Sequence, residues 1–221
     1  MSDGTIAENY RRVRESIPDN VTIVAAAKTR SADQIREAVE AGVDIIGENY
    51  VQEAQRVYEA LGEDAGRVQW HMIGHLQRNK INKALPVFDL IQTVDSPRLA
   101  RGLDKRVESE LPVFMQVNVA GEESKYGVPV EEAWELAEVI CDLPKLRLEG
   151  LMTMEPYFED PEKARPYFRR MKDVFDEMKE NDELGRHLST LSMGMTNSYR
   201  VAVDEGATMV RVGTAIFGPR R

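Results

Sequence analysis

What most constrains this chain is one pattern repeated from end to end. Short apolar runs alternate with longer segments whose apolar residues recur at 3.6-residue spacing. The runs fall at 22–28, 44–49, 68–74, 90–95, 113–119, 146–154, 188–194 and 209–217, and each reads as a strand. A first amphipathic helix covers 6–17, and helical patterns lie between the runs at 32–41, 52–61, 97–109, 130–143 and 163–181. Eight strands, each reached through a helix, predict an α/β fold of the parallel (β/α)8 (TIM) barrel type rather than an open sheet. No Pro/Gly/Ser-rich linker, low-complexity tract or internal repeat divides the 221 residues, so one domain spanning 1–221 is expected. A hydrophobic content of 42% supports a core of that size.

Composition removes several function classes. Thirty-eight acidic against 29 basic residues give a formal charge of −9, which argues against a dedicated nucleic-acid surface. The start Met1-Ser2-Asp3-Gly4 opens onto a polar helix, and no stretch approaches the roughly 18 apolar residues of a membrane span. A cytoplasmic protein is expected. The single cysteine, Cys141, excludes an internal disulfide and a multi-cysteine metal site, and its helical surroundings predict a core position. The charged stretch 169–179 carries Met171, Val174, Phe175 and Met178 at helical spacing, which predicts an outer helix with one solvated face.

In such barrels chemistry sits where strands end, and here the strands end in polar residues: Lys28, Asn49, His71, Asp95, Asn118, Thr153, Thr196 and Arg211. Lys28 closes an apolar run and shares its alternate face with Val24 and the small Ala26. Burial favours the neutral amine over the ammonium, and a neutral lysine amine attacks aldehydes to give a Schiff base. The alternative is a strand-end lysine whose head reaches out to water. The second concentration is at the C-terminal strands. Gly194 and Gly213 permit close backbone approach, Thr196 and Thr214 supply hydroxyls and Arg211 supplies fixed charge, which together read as a phosphate cradle. Closing the barrel sets strand one beside strand eight. A ligand that joins an aldehyde to a phosphate satisfies both ends, and pyridoxal 5′-phosphate is the common cofactor of that description.

The chain resembles the pyridoxal-phosphate homeostasis proteins, also called the YggS or PROSC family. The resemblance is carried in order by Ala26-Ala27-Lys28-Thr29, Gly47-Glu48-Asn49-Tyr50-Val51-Gln52-Glu53, Trp70-His71-Met72-Ile73-Gly74-His75, Gln116-Val117-Asn118-Val119, Leu191-Ser192-Met193-Gly194-Met195 and Met209-Val210-Arg211-Val212-Gly213-Thr214. It implies a barrel like that of alanine racemase (fold type III among pyridoxal-phosphate proteins), with the internal aldimine on Lys28 and Asn49 at the cofactor ring. It further implies a phosphate held by Gly194, Thr196, Gly213 and Thr214, and Arg211 close to the cofactor. Members typically carry serine where this chain has Thr196, followed by a stretch with aspartate; here Asn197-Ser198-Tyr199 follows, so Asn197 or Ser198 is left to cap the next helix.

Smaller expectations complete the reading. His71 and His75 are four apart in a strand-to-loop segment, so no zinc site is expected, and His71 is assigned to the pocket or the layer behind it. The loop 122–127 is either a lid or a plain connection. Alanine racemase relatives add a C-terminal domain that supplies a second base. This chain ends at Arg221, so cofactor carriage and homeostasis without strong turnover is expected, with no catalytic residue and no metal; a pyridoxal-phosphate-dependent amino-acid racemase or lyase using His71 or Tyr50 is the alternative. Expected partners are the cofactor itself and apo-enzymes that need it, on a monomer or weak homodimer.

Overall fold

The computed structural model describes residues 4–122 and 126–219. In chain order the strands are β1 (Thr22–Ala26), β2 (Ile45–Glu48), β3 (Gln69–Met72), β4 (Leu90–Val94), β5 (Leu111–Asn118), the two-residue β6 (Val128–Pro129), β7 (Leu146–Met152), β8 (Thr190–Met195) and β9 (Met209–Val212). All but β6 close into a parallel barrel in the order β1-β2-β3-β4-β5-β7-β8-β9, and β9 returns to β1. The short β6 pairs outside this ring with β5. The helices are α1 (Ile6–Arg14), α2 (Ala32–Glu40), α3 (Val51–Leu61), α4 (Ile81–Ala84), α5 (Pro97–Asp104), α6 (Ala133–Cys141), α7 (Arg165–Lys179), α8 (Tyr199–Asp204) and α9 (Thr214–Phe217).

Local sequence explains where several helices begin. Thr5 and Glu8 form a reciprocal capping box at α1, Ser31 and Gln34 repeat it at α2, and Ser96 followed by Pro97 starts α5. The last helix, α9, is a single turn and too short to cover the seam between β9 and β1. The N-terminal α1 packs beside α9 and α2 in that place, with Asn9 Nδ2 donating to the Ile216 carbonyl at 3.1 Å. The apolar core has two parts. A large cluster fills the space between barrel and helices, while Val24, Ile45, Ile73, Leu90, Phe114, Met152 and Met209 plug the barrel interior. At about 1.5–3 kcal/mol for each fully buried large side chain, the interior plug also fixes which strand face points inward.

Five sequence expectations are corrected. Run 22–28 is strand only to Ala26, so Lys28 stands two residues beyond it and is half-buried. Run 209–217 is strand only to Val212, because Gly213 turns the chain into α9. Helices 6–17 and 97–109 end early, at Arg14 and Asp104, where tight turns carry the chain toward the next strand. Cys141 is exposed, because the buried stripe of α6 is Ala133, Leu136, Ala137 and Ile140 and Cys141 falls at its edge. No helix among the described residues is long and apolar enough to cross a membrane.

Glu48 is a carboxyl on the outward face of β2, buried against α3. Its Oε2 and that of Glu53 are buried with no hydrogen-bond partner among the described residues. Burial first and the neighbouring Glu53 second push Glu48 up from 4.5 to about 8, so it is largely protonated at neutral pH. Between those values the folded chain holds a proton that the unfolded chain releases, so this contribution to stability falls as pH rises through the window and levels off above it. Glu48→Gln has no proton to lose. Its stability relative to wild type, read from urea midpoints, should rise by roughly 3–5 kcal/mol between pH 4 and pH 9; parallel curves for the two proteins would remove Glu48 as the cause.

Candidate functional site

Barrel closure places two strand ends side by side. The β1–β9 register sets Val24 opposite Arg211 and Ala25 opposite Val212, so the turn after β1 lies against the turn after β9. A Cβ on Gly213 would stand only 3.1 Å from the Ala26 carbonyl, which shows how close those turns are. Above them opens a cavity of about 720 Å³, bounded on one side by Ala26, Lys28, Asn49 and Ile73 and on the other by the segment Met154–Phe158 after β7. Its far end is formed by Met195–Ser198 together with Gly213 and Thr214, and Arg211 also faces it.

The turn that delivers Lys28 is conformationally costly. Thr29 has φ +65°, the only non-glycine residue in the left-handed region among those described, and a β-branched residue there is strained. The turn is closed by Arg30 N–H donating to the Ala27 carbonyl at 2.8 Å, and Arg30 reaches the carbonyls of Gly218 and Pro219. Lys28 and Arg30 thereby both face the cavity, with Lys28 Nζ 5.3 Å from the ring centre of Tyr50. Asn49 is held from behind by Gly74, where a Cβ would fall 2.3 Å from the Asn49 carbonyl oxygen. No side chain larger than hydrogen fits there.

At the opposite wall the loop between β8 and α8 is tied down by hydroxyls. Thr196 Oγ1 accepts Gly213 N–H at 3.1 Å, linking the two C-terminal loops and leaving the threonine hydrogen free to donate elsewhere. Ser198 Oγ accepts Met195 N–H at 3.0 Å and donates to Glu155 Oε1. Ser198 therefore stands at the N-cap of α8 without capping it, and Asn197 spends its amide on the Phe158 carbonyl at 2.7 Å. Glu155, buried on the cavity wall, has no partner for Oε2 among the described residues.

Arg211 is 3% exposed, and its guanidinium donates to Ser192 Oγ and to the Thr153 carbonyl, both at 2.7 Å. Burial pulls it down to about 10 against the opposing attraction of Glu155, so it stays charged at neutral pH. His71 is fully buried, and burial pushes it down to about 4, leaving a neutral ring.

Of the expected site residues, Lys28, Asn49, Thr196, Arg211, Gly213 and Thr214 face the one cavity. His71 and Gly194 do not. His71 points into the barrel interior toward Gln92, and Gly194, at φ +89°, lets β8 approach α8 where a Cβ would meet that of Ala202 at 2.5 Å. His75 is separate from His71 again, with Nδ1 3.3 Å from Asp95 and its ring stacked on Tyr126 at 4.0 Å. Among the described residues no group of three or more His, Cys, Asp or Glu is arranged to hold a metal ion. The suggested lid falls largely on 123–125, outside the described residues. Sequence reading missed Gln92, Ser192 and Glu155. Gln92 and Ser192 carried a usable signal, since each is a polar residue within an apolar strand.

The family model described as alanine racemase, N-terminal domain, matches residues 2–221. A protein of Aquifex aeolicus named pyridoxal phosphate homeostasis protein is 42% identical over 202 residues, covering 90% of this chain and 87% of its own. One of the same name from Escherichia coli K12 is 38% identical, with 97% of each chain covered. Among solved structures, PipY of Synechococcus elongatus with pyridoxal phosphate bound is 33% identical with a TM-score of 0.88, covering 96% of this chain and 100% of that one. Alanine racemase from Corynebacterium glutamicum shares the fold at 16% identity and a TM-score of 0.73, over 96% of this chain and 60% of that one.

The Ser198 contacts generate a stability prediction. Ser198→Ala leaves the Met195 N–H and both Glu155 oxygens unsatisfied in a buried place, at a cost of about 1–3 kcal/mol. Denaturant unfolding should show that loss, and Ser198→Thr should recover part of it; an Ala variant as stable as wild type would mean that the hydroxyl does not hold the loop.

Proposed function

Because the chain belongs to the alanine racemase N-terminal domain family and, within it, to the pyridoxal phosphate homeostasis proteins, we propose that it binds pyridoxal 5′-phosphate in the barrel-mouth cavity and buffers or supplies it. The whole chain acts as one binding domain. The observation that carries the reading is the convergence of an aldehyde-reactive amine and an anion cradle on one cavity, set by β1–β9 pairing. The residues fit the group. Lys28 would hold the group through its amine, with water released from the aldehyde, and Asn49 would stand at the ring. Thr196, with its hydrogen uncommitted, and the turn Gly213-Thr214 receive the phosphate, while Arg211 adds charge. Gly194 and His71 support the site from behind. The cofactor supplies an electrophilic carbonyl; this chain contributes binding, orientation and exclusion of water.

Delivery to apo-enzymes in the cytoplasm, by a monomer or weak homodimer, is the physiological role. It is supported by the four large hydrophobic side chains that stand exposed among the described residues, Tyr50, Tyr126, Met154 and Tyr157, all of which follow the C-terminal ends of barrel strands. The racemase or lyase alternative is disfavoured by geometry. Racemisation needs acid–base groups on opposite faces of the substrate carbon. The Tyr50 ring lies on the Lys28 side, and His71 is buried behind the lining.

Borohydride treatment of the loaded protein should fix a pyridoxyl group on the peptide containing Lys28, and label found mainly on Lys80 or Lys125 would defeat the assignment. Lys28→Ala should lose the visible absorption yet keep part of the affinity through the phosphate contacts. Arg211→Gln should weaken retention by about 1.5–3 kcal/mol, as expected for a charge-assisted hydrogen bond, with unchanged dialysis retention removing the arginine from the site. Solvent deuterium exchange at the α-carbon of L- and D-amino acids should stay well under ~1 s⁻¹, the low end of ordinary enzymes. Faster exchange on any one of them would favour the enzyme reading.

A further inference from the structure

Beneath the cavity, four buried polar side chains from four strands are joined end to end. Arg211 Nη1 on β9 donates to Ser192 Oγ on β8 at 2.7 Å, and Ser192 Oγ donates to Gln92 Oε1 on β4 at 2.8 Å. Gln92 Nε2 stands 2.9 Å from His71 Nδ1 on β3, and its second hydrogen is directed at Met209 Sδ, 3.3 Å away. All four side chains are buried, in a barrel otherwise plugged by apolar residues.

The direction of every bond in this chain follows from one end. A guanidinium has donors only, so Ser192 must accept from Arg211, and its single hydrogen is left for the Gln92 carbonyl. That contact orients the amide and turns its NH2 toward His71. Nδ1 must then be an acceptor, so the ring is the neutral tautomer with hydrogen on Nε2. Burial independently lowers the affinity of His71 for a second proton. The other charged groups near the relay lie at its Arg211 end, where Glu155 attracts the guanidinium.

We propose that Gln92 and Ser192 are positioning residues that lock the Arg211 guanidinium at the cavity and, through the same one-way set of hydrogen bonds, hold His71 neutral in the Nε2–H form. Among the described residues the Arg211 guanidinium donates to one backbone carbonyl and to this relay, so removing the relay takes away one of its two hydrogen-bonded anchors. The part concerning hydrogen-bond polarity needs no ligand. The part concerning cofactor retention rests on the reading of the cavity as a pyridoxal phosphate site.

Three substitutions separate these statements. Gln92→Glu keeps the shape but replaces the NH2 with a carboxyl oxygen: ionised, it only accepts and requires a hydrogen on His71 Nδ1, and protonated, it donates to Nδ1 as the amide does. In ligand-free protein, ¹⁵N NMR of the histidine ring should show neutral Nε2–H at pH 7 in wild type, and in Gln92→Glu a change from Nε2–H to a hydrogen on Nδ1 as the introduced carboxyl ionises. A neutral wild-type ring with its hydrogen on Nδ1 overturns the relay, because Gln92 would then accept from His71 rather than donate to it. Ser192→Ala and Gln92→Leu should speed rotation of the Arg211 guanidinium in ¹⁵N side-chain spectra, and unchanged rotation in the folded Ser192→Ala protein overturns the positioning role even if Gln92→Leu does not fold. In equilibrium dialysis against pyridoxal phosphate, Ser192→Ala should retain about tenfold less cofactor than wild type. Equal retention overturns the ligand part of the proposal, whereas a wild type that retains none overturns the functional reading and leaves the NMR comparisons to decide the relay.

Discussion

The hydrogen-bonded pairing of β1 with β9 is the constraint on which the site depends. These strands are the first and last of the barrel, and their parallel register places Val24 opposite Arg211 and Ala25 opposite Val212. From it follow the contact of Gly213 with the Ala26 carbonyl, the approach of the Lys28 turn to the C-terminal loops, and a cavity shared by an amine, a guanidinium and two threonine hydroxyls. A one-residue slip in parallel register would turn Arg211 outward into the helix layer, where a charge has no partner. The apolar plug around Val24, Ile45 and Met209 makes such a slip expensive. Stability of the barrel and geometry of the site are therefore set by the same contacts.

Buried charge is handled in two ways. Arg211 remains charged, because a hydroxyl, a backbone carbonyl and a nearby carboxylate compensate its desolvation. His71 is driven to its neutral form by burial, and Glu48 by burial and the neighbouring Glu53, which outweigh the backbone hydrogen bond at Asn49. The contrast leaves Arg211 as the deeply buried positive charge at the cavity, with Lys28 and Arg30 at its less buried wall. Strain is concentrated at the same place, since the left-handed Thr29 directs Lys28 and Arg30 together and Arg30 is anchored on the C-terminal Gly218-Pro219 carbonyls. The chain thus spends conformational energy at the turn that directs Lys28 into the cavity.

Much of this was legible in the residues in their order. Alternation of short apolar runs with helical periods is a local property, and it specified the barrel class because each strand and helix must bury one face. Lys28, Asn49, Thr196, Arg211, Gly213 and Thr214 were recognisable because strand ends in a barrel gather at one rim. His71 was left between the pocket and the layer behind it, and it lies behind, while Gly194 was expected in the cradle and instead packs against α8. A residue one or two positions from a strand end faces the cavity, the interior or the helices according to register and pleat, and the boundaries drawn from sequence were too long at β1 and β9 to fix that parity.

Glu155 was invisible for a different reason. Its meaning comes from Ser198, 43 residues away, and from the attraction of Arg211 across the cavity, and neither leaves a local pattern. The relay of Arg211, Ser192, Gln92 and His71 likewise joins residues up to 140 positions apart, and only barrel closure makes them neighbours. The sequence alone determined that a strand-end lysine and a glycine- and threonine-rich C-terminal segment would share a parallel barrel. Tertiary structure decided how those groups face one another, which polar side chains lie behind them and which charges survive, because hydrogen-bond direction and desolvation depend on distances that the linear order does not contain.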